Sequence, residues 1–301
     1  MGNRTSKNGV TYTYDDANRL TQVGGVPYCH DVNGNLLSVG SSVYYHYDYE
    51  NRLISWDKGV DCIRYTYDGD GNRVGISVTG SVYKTLEYIN DVNAGIPRVL
   101  VEKEDTEGIN DYLYSGRMFG RIGHEGQIYY HQDGLGSISV ITDVYGQPLN
   151  FYQYDAFGDP RSVFESVYNS FRFTGEQNDQ NGLLYLRARY YDPITGRFLS
   201  RDSLFGNTTD SLSLNRYAYC GNNPVVYVDP SGHIKICQWY ELGRGLWTSG
   251  KDTVNAIINT PGALWELANA IWRGQISFEQ LKQLLGEIPG VLIEPFEYVY
   301  K

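Results

Sequence analysis

A mainly β fold, made of stacked hairpins and followed by a small α-helical C-terminal segment, is what this sequence predicts. Three observations carry that expectation. Tyr numbers 28 and Gly 34 in 301 residues, a composition of short strands and tight turns. A short motif of Tyr, Asp and then Asn or Gly recurs along the chain. Near Ile234 the apolar residues change from alternation to a spacing of three and four, which is the change from strand to helix.

The first copies of the motif are Tyr14-Asp15-Asp16-Ala17-Asn18-Arg19-Leu20, Tyr47-Asp48-Tyr49-Glu50-Asn51-Arg52-Leu53 and Tyr67-Asp68-Gly69-Asp70-Gly71-Asn72-Arg73-Val74. A weaker copy, Asp31-Val32-Asn33-Gly34-Asn35-Leu36, has Cys29 or His30 at the Tyr position. The period drifts over roughly 15 to 20 residues, as in short-repeat solenoids. Runs such as Thr11-Tyr12-Thr13-Tyr14 and Val43-Tyr44-Tyr45-His46-Tyr47 place every second ring on one strand face, and the Asn-Gly and Asp-Gly pairs permit the positive φ of hairpin turns. Each unit is then a hairpin that must stack on its neighbours to satisfy its edges. A packing ladder accounts for the tyrosines better than ligand stacking does. Asp68, Asp70 and Asn72 imitate a calcium loop, but Arg73 replaces the required Gly and Thr79 the bidentate Glu, so a plain turn is expected.

The stretch from Glu102 to Asp111 reads as acidic and exposed. Beyond it the pattern resumes at Tyr129-Tyr130-His131-Gln132-Asp133-Gly134-Leu135-Gly136-Ser137 and Tyr154-Asp155-Ala156-Phe157-Gly158. His131 and Asp133 fit a strand-to-turn junction better than acid-base chemistry.

The formal charge of −10, with only 25 Lys and Arg, speaks against nucleic-acid binding by the repeat region. Cys29, Cys62, Cys220 and Cys237 show neither a disulfide framework nor a metal spacing, so no cofactor or metal is expected. The N-terminal residues lack a secretory leader, and no uninterrupted membrane span follows.

From Gly182 the sequence runs Leu-Leu-Tyr-Leu-Arg-Ala-Arg-Tyr-Tyr-Asp-Pro-Ile-Thr-Gly-Arg-Phe-Leu-Ser-Arg-Asp, then Leu214-Asn215-Arg216-Tyr217-Ala218-Tyr219, and then Asn223-Pro224-Val225-Val226-Tyr227-Val228-Asp229-Pro230-Ser231-Gly232. This resembles the core-associated region that closes the shell of Rhs and YD-repeat proteins, and is similar to the C subunit of Tc toxins. The resemblance implies a YD-repeat hairpin spiral or shell fragment whose closing motif, Asp-Pro-x-Gly-Leu, is where the chain cuts itself. Here His233 stands in place of that Leu.

The resemblance places the essential aspartates of self-cleaving shells on Asp202 and Asp229. Two carboxyls held close share a proton and offer base and acid at one pH, and Arg201, directly before Asp202, is expected to orient its carboxylate. Pro224, Pro230 and Gly232 are the motif's turn residues; Asp, Pro and Gly at the first, second and fourth positions of 229–232 suit a type I turn. If the family's cut position transfers, the bond broken is His233–Ile234. The other reading stays open: Asp192-Pro193 and Asp229-Pro230 start turns, and Asp202 caps a loop.

After Ile234, helical spacing is carried by Val254, Ile257 and Ile258, by Leu264, Leu267, Ala268 and Ile271, and by Leu281, Leu284, Leu285 and Ile288. Thr260-Pro261 and Ser277-Phe278-Glu279-Gln280 read as helix starts. Four sections follow: YD repeats over 1–100, further YD-type repeats over 101–180, the Rhs core over 181–233, and a helical variable tail over 234–301. By position the tail is a pre-toxin linker or payload, and its own residues show no catalytic motif. The resemblance implies a shell in a secreted or surface bacterial toxin system, with its own tail or toxin as enclosed cargo and an immunity protein as partner. Two alternatives stand beside that reading: a non-catalytic structural or cell-surface repeat protein, and a tail that contacts membranes through Trp239, Trp247, Trp265 and Trp272.

Overall fold

The computed structural model describes residues 2–105, 108–206 and 212–233, together with the backbone of 236–237. Over residues 6–165 the described chain forms one antiparallel meander of 17 strands, from Ser6–Lys7 to Pro160–Glu165. Each strand pairs with the strand before it and the strand after it in sequence. The sheet crosses residue 100 without a break, so the repeat sections expected over 1–100 and 101–180 contribute to one sheet.

The recurring motif is a specific turn. Asp48 Oδ1 accepts the amides of Glu50 and Arg52, both at 2.9 Å, while the Asp48 N–H donates to the Arg52 carbonyl. The same carboxylate-to-amide pattern recurs at Asp15, Asp68, Asp133, Asp143 and Asp155. The fourth residue of each loop is left-handed, which is why the sequence has Asn51 (φ 62°) or Gly there. Gly158 is doubly constrained, because a Cβ at its φ of +89° would lie 2.5 Å from the Phe173 ring.

The Tyr before each Asp has its own task. The pairing register slips at Thr13/Tyr14, His46/Tyr47, Thr66/Tyr67 and Gln153/Tyr154, a bulge that re-aims the side chain. Tyr67 Oη then donates to the Leu53 carbonyl at 2.7 Å and Tyr154 Oη to the Ile138 carbonyl at 3.0 Å. Leu53 follows the Asp48 turn and Ile138 the Asp133 turn, so the phenol ties its own turn to one earlier in the chain. The tyrosines are packing elements, as their alternation implies, and hydrogen-bonded staples as well.

The sheet curls until its ends meet. Lys7 Nζ pairs with Asp155 at 2.9 Å and Asp159 at 2.7 Å, and the Arg4 guanidinium lies 4.6 Å from the Phe157 ring centre. Described residues between 166 and 233 pack on the inward side chains of this sheet. Tyr65 meets Tyr190 and Tyr112 meets Phe171, with ring centres 4.9 and 4.8 Å apart. The Leu36 N–H donates to the Leu199 carbonyl. Arg73 is buried under the Tyr185 ring, 4.2 Å from its centre, and pairs with buried Asp179 at 2.7 Å. Such a pair fixes register, since a slip by one residue strands a charge in the core.

Two expectations are corrected. The acidic stretch from Glu102 to Asp111 is exposed on one face only: its described residues belong to the hairpin of Arg98–Glu104 and Gly108–Ser115. Alternation turns Glu102, Glu104 and Asn110 inward, where all three are buried. Glu104 pairs with Lys84 at 2.7 Å and Glu102 accepts from Ser170 at 2.9 Å; burial raises the Glu102 carboxyl above its ordinary range. Strand pairing also continues past Ile234, because Ile236–Cys237 pairs with Tyr227–Val228. The first compact unit accordingly spans Met1–Gln238, and the expected helices lie outside the described residues. Cys29, Cys62 and Cys220 form no disulfide.

Candidate self-cleavage site

Strand Leu184–Leu186 turns at Arg187 and Ala188 into strand Arg189–Asp192, and Arg187 is left-handed at φ 55°. The tip of this hairpin grips the Asp229-Pro230-Ser231-Gly232 turn by three consecutive carbonyls. Arg187 Nη1 donates to the Pro230 carbonyl at 3.0 Å, the Ala188 N–H to that of Ser231 at 3.3 Å, and Arg189 Nε to that of Gly232. Gly232 has φ +76°, and a Cβ there would lie 2.3 Å from the Leu186 carbonyl. The motif's Gly is therefore required by conformation and by close approach.

The Asp229 turn shares one contact with the shell turns, the amide four residues on. Its Oδ1 accepts the His233 N–H at 3.0 Å, four residues on, and the Ser231 hydroxyl at 3.2 Å. The Gly232 N–H points at the Asp229 carbonyl. Pro230 presents the carbonyl that Arg187 binds, and Pro224 is buried after the short turn Tyr219–Asn222.

Asp202 arrives from the other side. Its N–H donates to the Arg216 carbonyl, Arg216 Nη2 donates to the Asp202 carbonyl, and its Oδ1 accepts the Leu204 N–H at 2.9 Å. The structure brings Asp202 and Asp229 to one guanidinium: Arg189 Nη2 is 2.7 Å from Asp202 Oδ2 and 3.7 Å from Asp229 Oδ2. All three residues are buried. Arg201 is exposed and lies against Gly34; the guanidinium on Asp202 is that of Arg189. His233 completes the cluster, with Nδ1 2.7 Å from Asp202 Oδ1. Ile234 lies outside the described residues.

Electrostatics follow from this packing. Burial pulls Arg189 down to about 10, against the opposing charges of Asp202 and Asp229, so the guanidinium stays charged at neutral pH. Burial raises the Asp202 carboxyl, but the His233 hydrogen bond and the Arg189 charge outweigh it and hold the group below its usual value. A cation within reach of both carboxylates relieves the repulsion that otherwise forces two acids to share a proton. Part of this was legible in the sequence: Arg187 and Arg189, charged residues inside the otherwise apolar run from Leu183 to Tyr191, need buried partners.

Residues 2–225 match the family described as Teneurin YD-shell. The chain belongs to that family. This YD-shell chain is 34% identical over 285 residues to the tRNA3(Ser)-specific nuclease WapA of Bacillus spizizenii, covering 91% of the chain and 10% of that protein. It is 32% identical over 174 residues to toxin subunit YenC2 of Yersinia entomophaga, covering 56% of the chain and 16% of that protein. The crystal structure of TcdB2-TccC3 shares its fold, with a TM-score of 0.57 at 21% identity over 74% of this chain and 13% of that one. The YD-shell chain thus spans about a tenth of the length of the WapA proteins it matches. The family match includes Asp202 and ends before the Asp229 turn.

Proposed function

We propose that this chain is the closing section of a YD-repeat shell in a bacterial polymorphic toxin system, secreted or displayed at the surface, and that it severs itself once at the His233–Ile234 bond. The segment from Ile234 onward is then the enclosed or presented effector portion, and an immunity protein its partner in the producing cell. Relatives described as a nuclease and as a toxin subunit support the toxin setting.

One observation carries the self-cleavage reading: two buried carboxylates, Asp202 and Asp229, converge on Arg189 Nη2 beside His233. Burying them in this way costs several kcal/mol of desolvation, which a plain turn has no need of. Peptide hydrolysis needs a water nucleophile, a base for it and an acid for the leaving amine. The hairpin tip at 187–189 holds three carbonyls leading up to the bond, so attack needs no search for alignment.

Intact-mass measurement of the full chain tests this. An N-terminal fragment ending at His233 is expected, absent in Asp202→Asn and in Asp229→Asn. A folded chain that keeps its full mass for days from mildly acidic to neutral pH refutes self-cleavage and leaves the structural repeat protein. Membrane depolarisation on expression of residues 234–301 points instead to a membrane-acting tail.

A further inference from the structure

We propose that the shell holds a binding site for a small carboxylate where its sheet meets the segment packed inside it, with Arg73 taking the two oxygens. Nothing in this site depends on the chain cutting itself.

A cavity of about 70 Å³ lies there, room for several waters or one small acid. Arg73 comes to it from strand Arg73–Thr79 and Arg98 from strand Arg98–Glu104, while Gln177 and Arg187 come from the packed segment. The charged residues lining it are all arginines.

The Arg73 side chain is fully buried, and its Nη1 donates to Asp179 at 2.7 Å and to Tyr190 Oη at 2.9 Å. Its Nε and Nη2 have no partner among the described residues, and neither does Nε2 of buried Gln177. Nε and Nη2 are neighbouring donors on one edge of the guanidinium, the edge that meets a carboxylate through two parallel hydrogen bonds. Tyrosine faces attract the charge, Tyr185 being nearest with its ring centre 4.2 Å away. A ring face is still no substitute for the acceptor that a buried N–H requires.

Charge balance and wall chemistry set the class. Asp179 pairs with Arg73, Asp91 with Arg98 at 3.1 Å, and Glu176 with Arg187. These acids hold the arginines from outside the lining, so a single added negative charge suits the site better than a phosphate dianion. Val99 and Phe171 supply apolar wall for a carbon body. The Arg98 and Arg187 side chains are 32% and 23% exposed, so the cavity is reached from solvent.

Thermal unfolding of the full chain in sodium acetate, against sodium chloride at equal ionic strength, tests this. A saturable rise in Tm of about 2 to 4 °C is expected at about ten times Kd. Gln177→Met removes the amide donor at similar volume and should abolish the rise; Arg73→Lys keeps the charge without the fork and should do the same. If Arg73→Lys does not fold, the Arg73 Nε–H resonance of the unmodified chain decides, and it is expected to move with acetate and not with chloride. N-acetylglutamate N-methylamide is run in parallel, since a free acid and an acidic side chain present the same group; a larger rise than with acetate assigns the carboxylate to a peptide. A rise with phosphate and with neither carboxylate overturns the class. Equal curves in acetate and chloride, an Arg73 resonance that acetate leaves unmoved, or a rise that survives both substitutions, overturns the site.

Discussion

The phenol of Tyr67 donates to the main-chain carbonyl of Leu53 at 2.7 Å, across 14 residues of sequence. That bond joins one repeat turn to an earlier one, and Tyr154 with Ile138 repeats it at 3.0 Å. A fold with no long-range disulfide among its described cysteines is held in register by such links.

Tyr67→Phe is expected to keep the ring packing and lose the staple, lowering stability by about 1 kcal/mol. The loss should read as a lower urea midpoint with an unchanged slope. An unchanged midpoint means the bond is not worth more than its competition with water.

Gly158 and Gly126 separate backbone cost from crowding. Both have positive φ, but a Cβ at Gly126 meets nothing within 4 Å while one at Gly158 meets Phe173 at 2.5 Å. Gly126→Ala should cost about 1 to 2 kcal/mol, the left-handed penalty alone. Gly158→Ala should cost roughly 1 to 3 kcal/mol more, through overpacking. Equal losses in paired urea titrations count against the Phe173 contact.

Acid should weaken the turns. Burial is the largest single influence on the Asp48 carboxyl and raises it, but the Arg52 amide and guanidinium contacts together outweigh it, so the folded value is depressed. A depressed carboxyl stabilises above its unfolded value, and that stability is lost as pH falls through the folded value. Asp15, Asp68 and Asp155 are depressed in the same way, whereas burial raises Glu102 and Asp179, which act in the opposite direction. Asp48→Asn should therefore be less stable than the unmodified chain at neutral pH, with the two converging as pH falls through the depressed folded value of Asp48. Parallel curves of stability against pH contradict this.

Arg189→Lys keeps a charge but not the fork that reaches the Gly232 and Arg216 carbonyls and Asp202 at once. Self-cleavage should slow at least about tenfold, because aligned groups lose their geometry. A circular dichroism spectrum matching that of the unmodified chain shows that the sheet is intact, and an unchanged cleavage rate removes Arg189 from the site.

What the sequence determined by itself is local and periodic. Strand alternation, the Asp turns with Asn or Gly at the left-handed position, and the YD-repeat resemblance at 182–233 are all legible there, because a turn's hydrogen bonds close within five residues. The tertiary structure decided what depends on residues far apart. Glu102 and Glu104 read as solvent-facing because their partners Ser170 and Lys84 are distant in sequence. Arg201 adjoins Asp202 in the chain but faces away, while Arg189 arrives from a separate hairpin. The contact between His233 and Asp202 exists only because the curled sheet and its packed core-associated segment bring the two turns together. Burial then makes each such pair obligatory, since a charge withdrawn from water must find its partner wherever the fold supplies one.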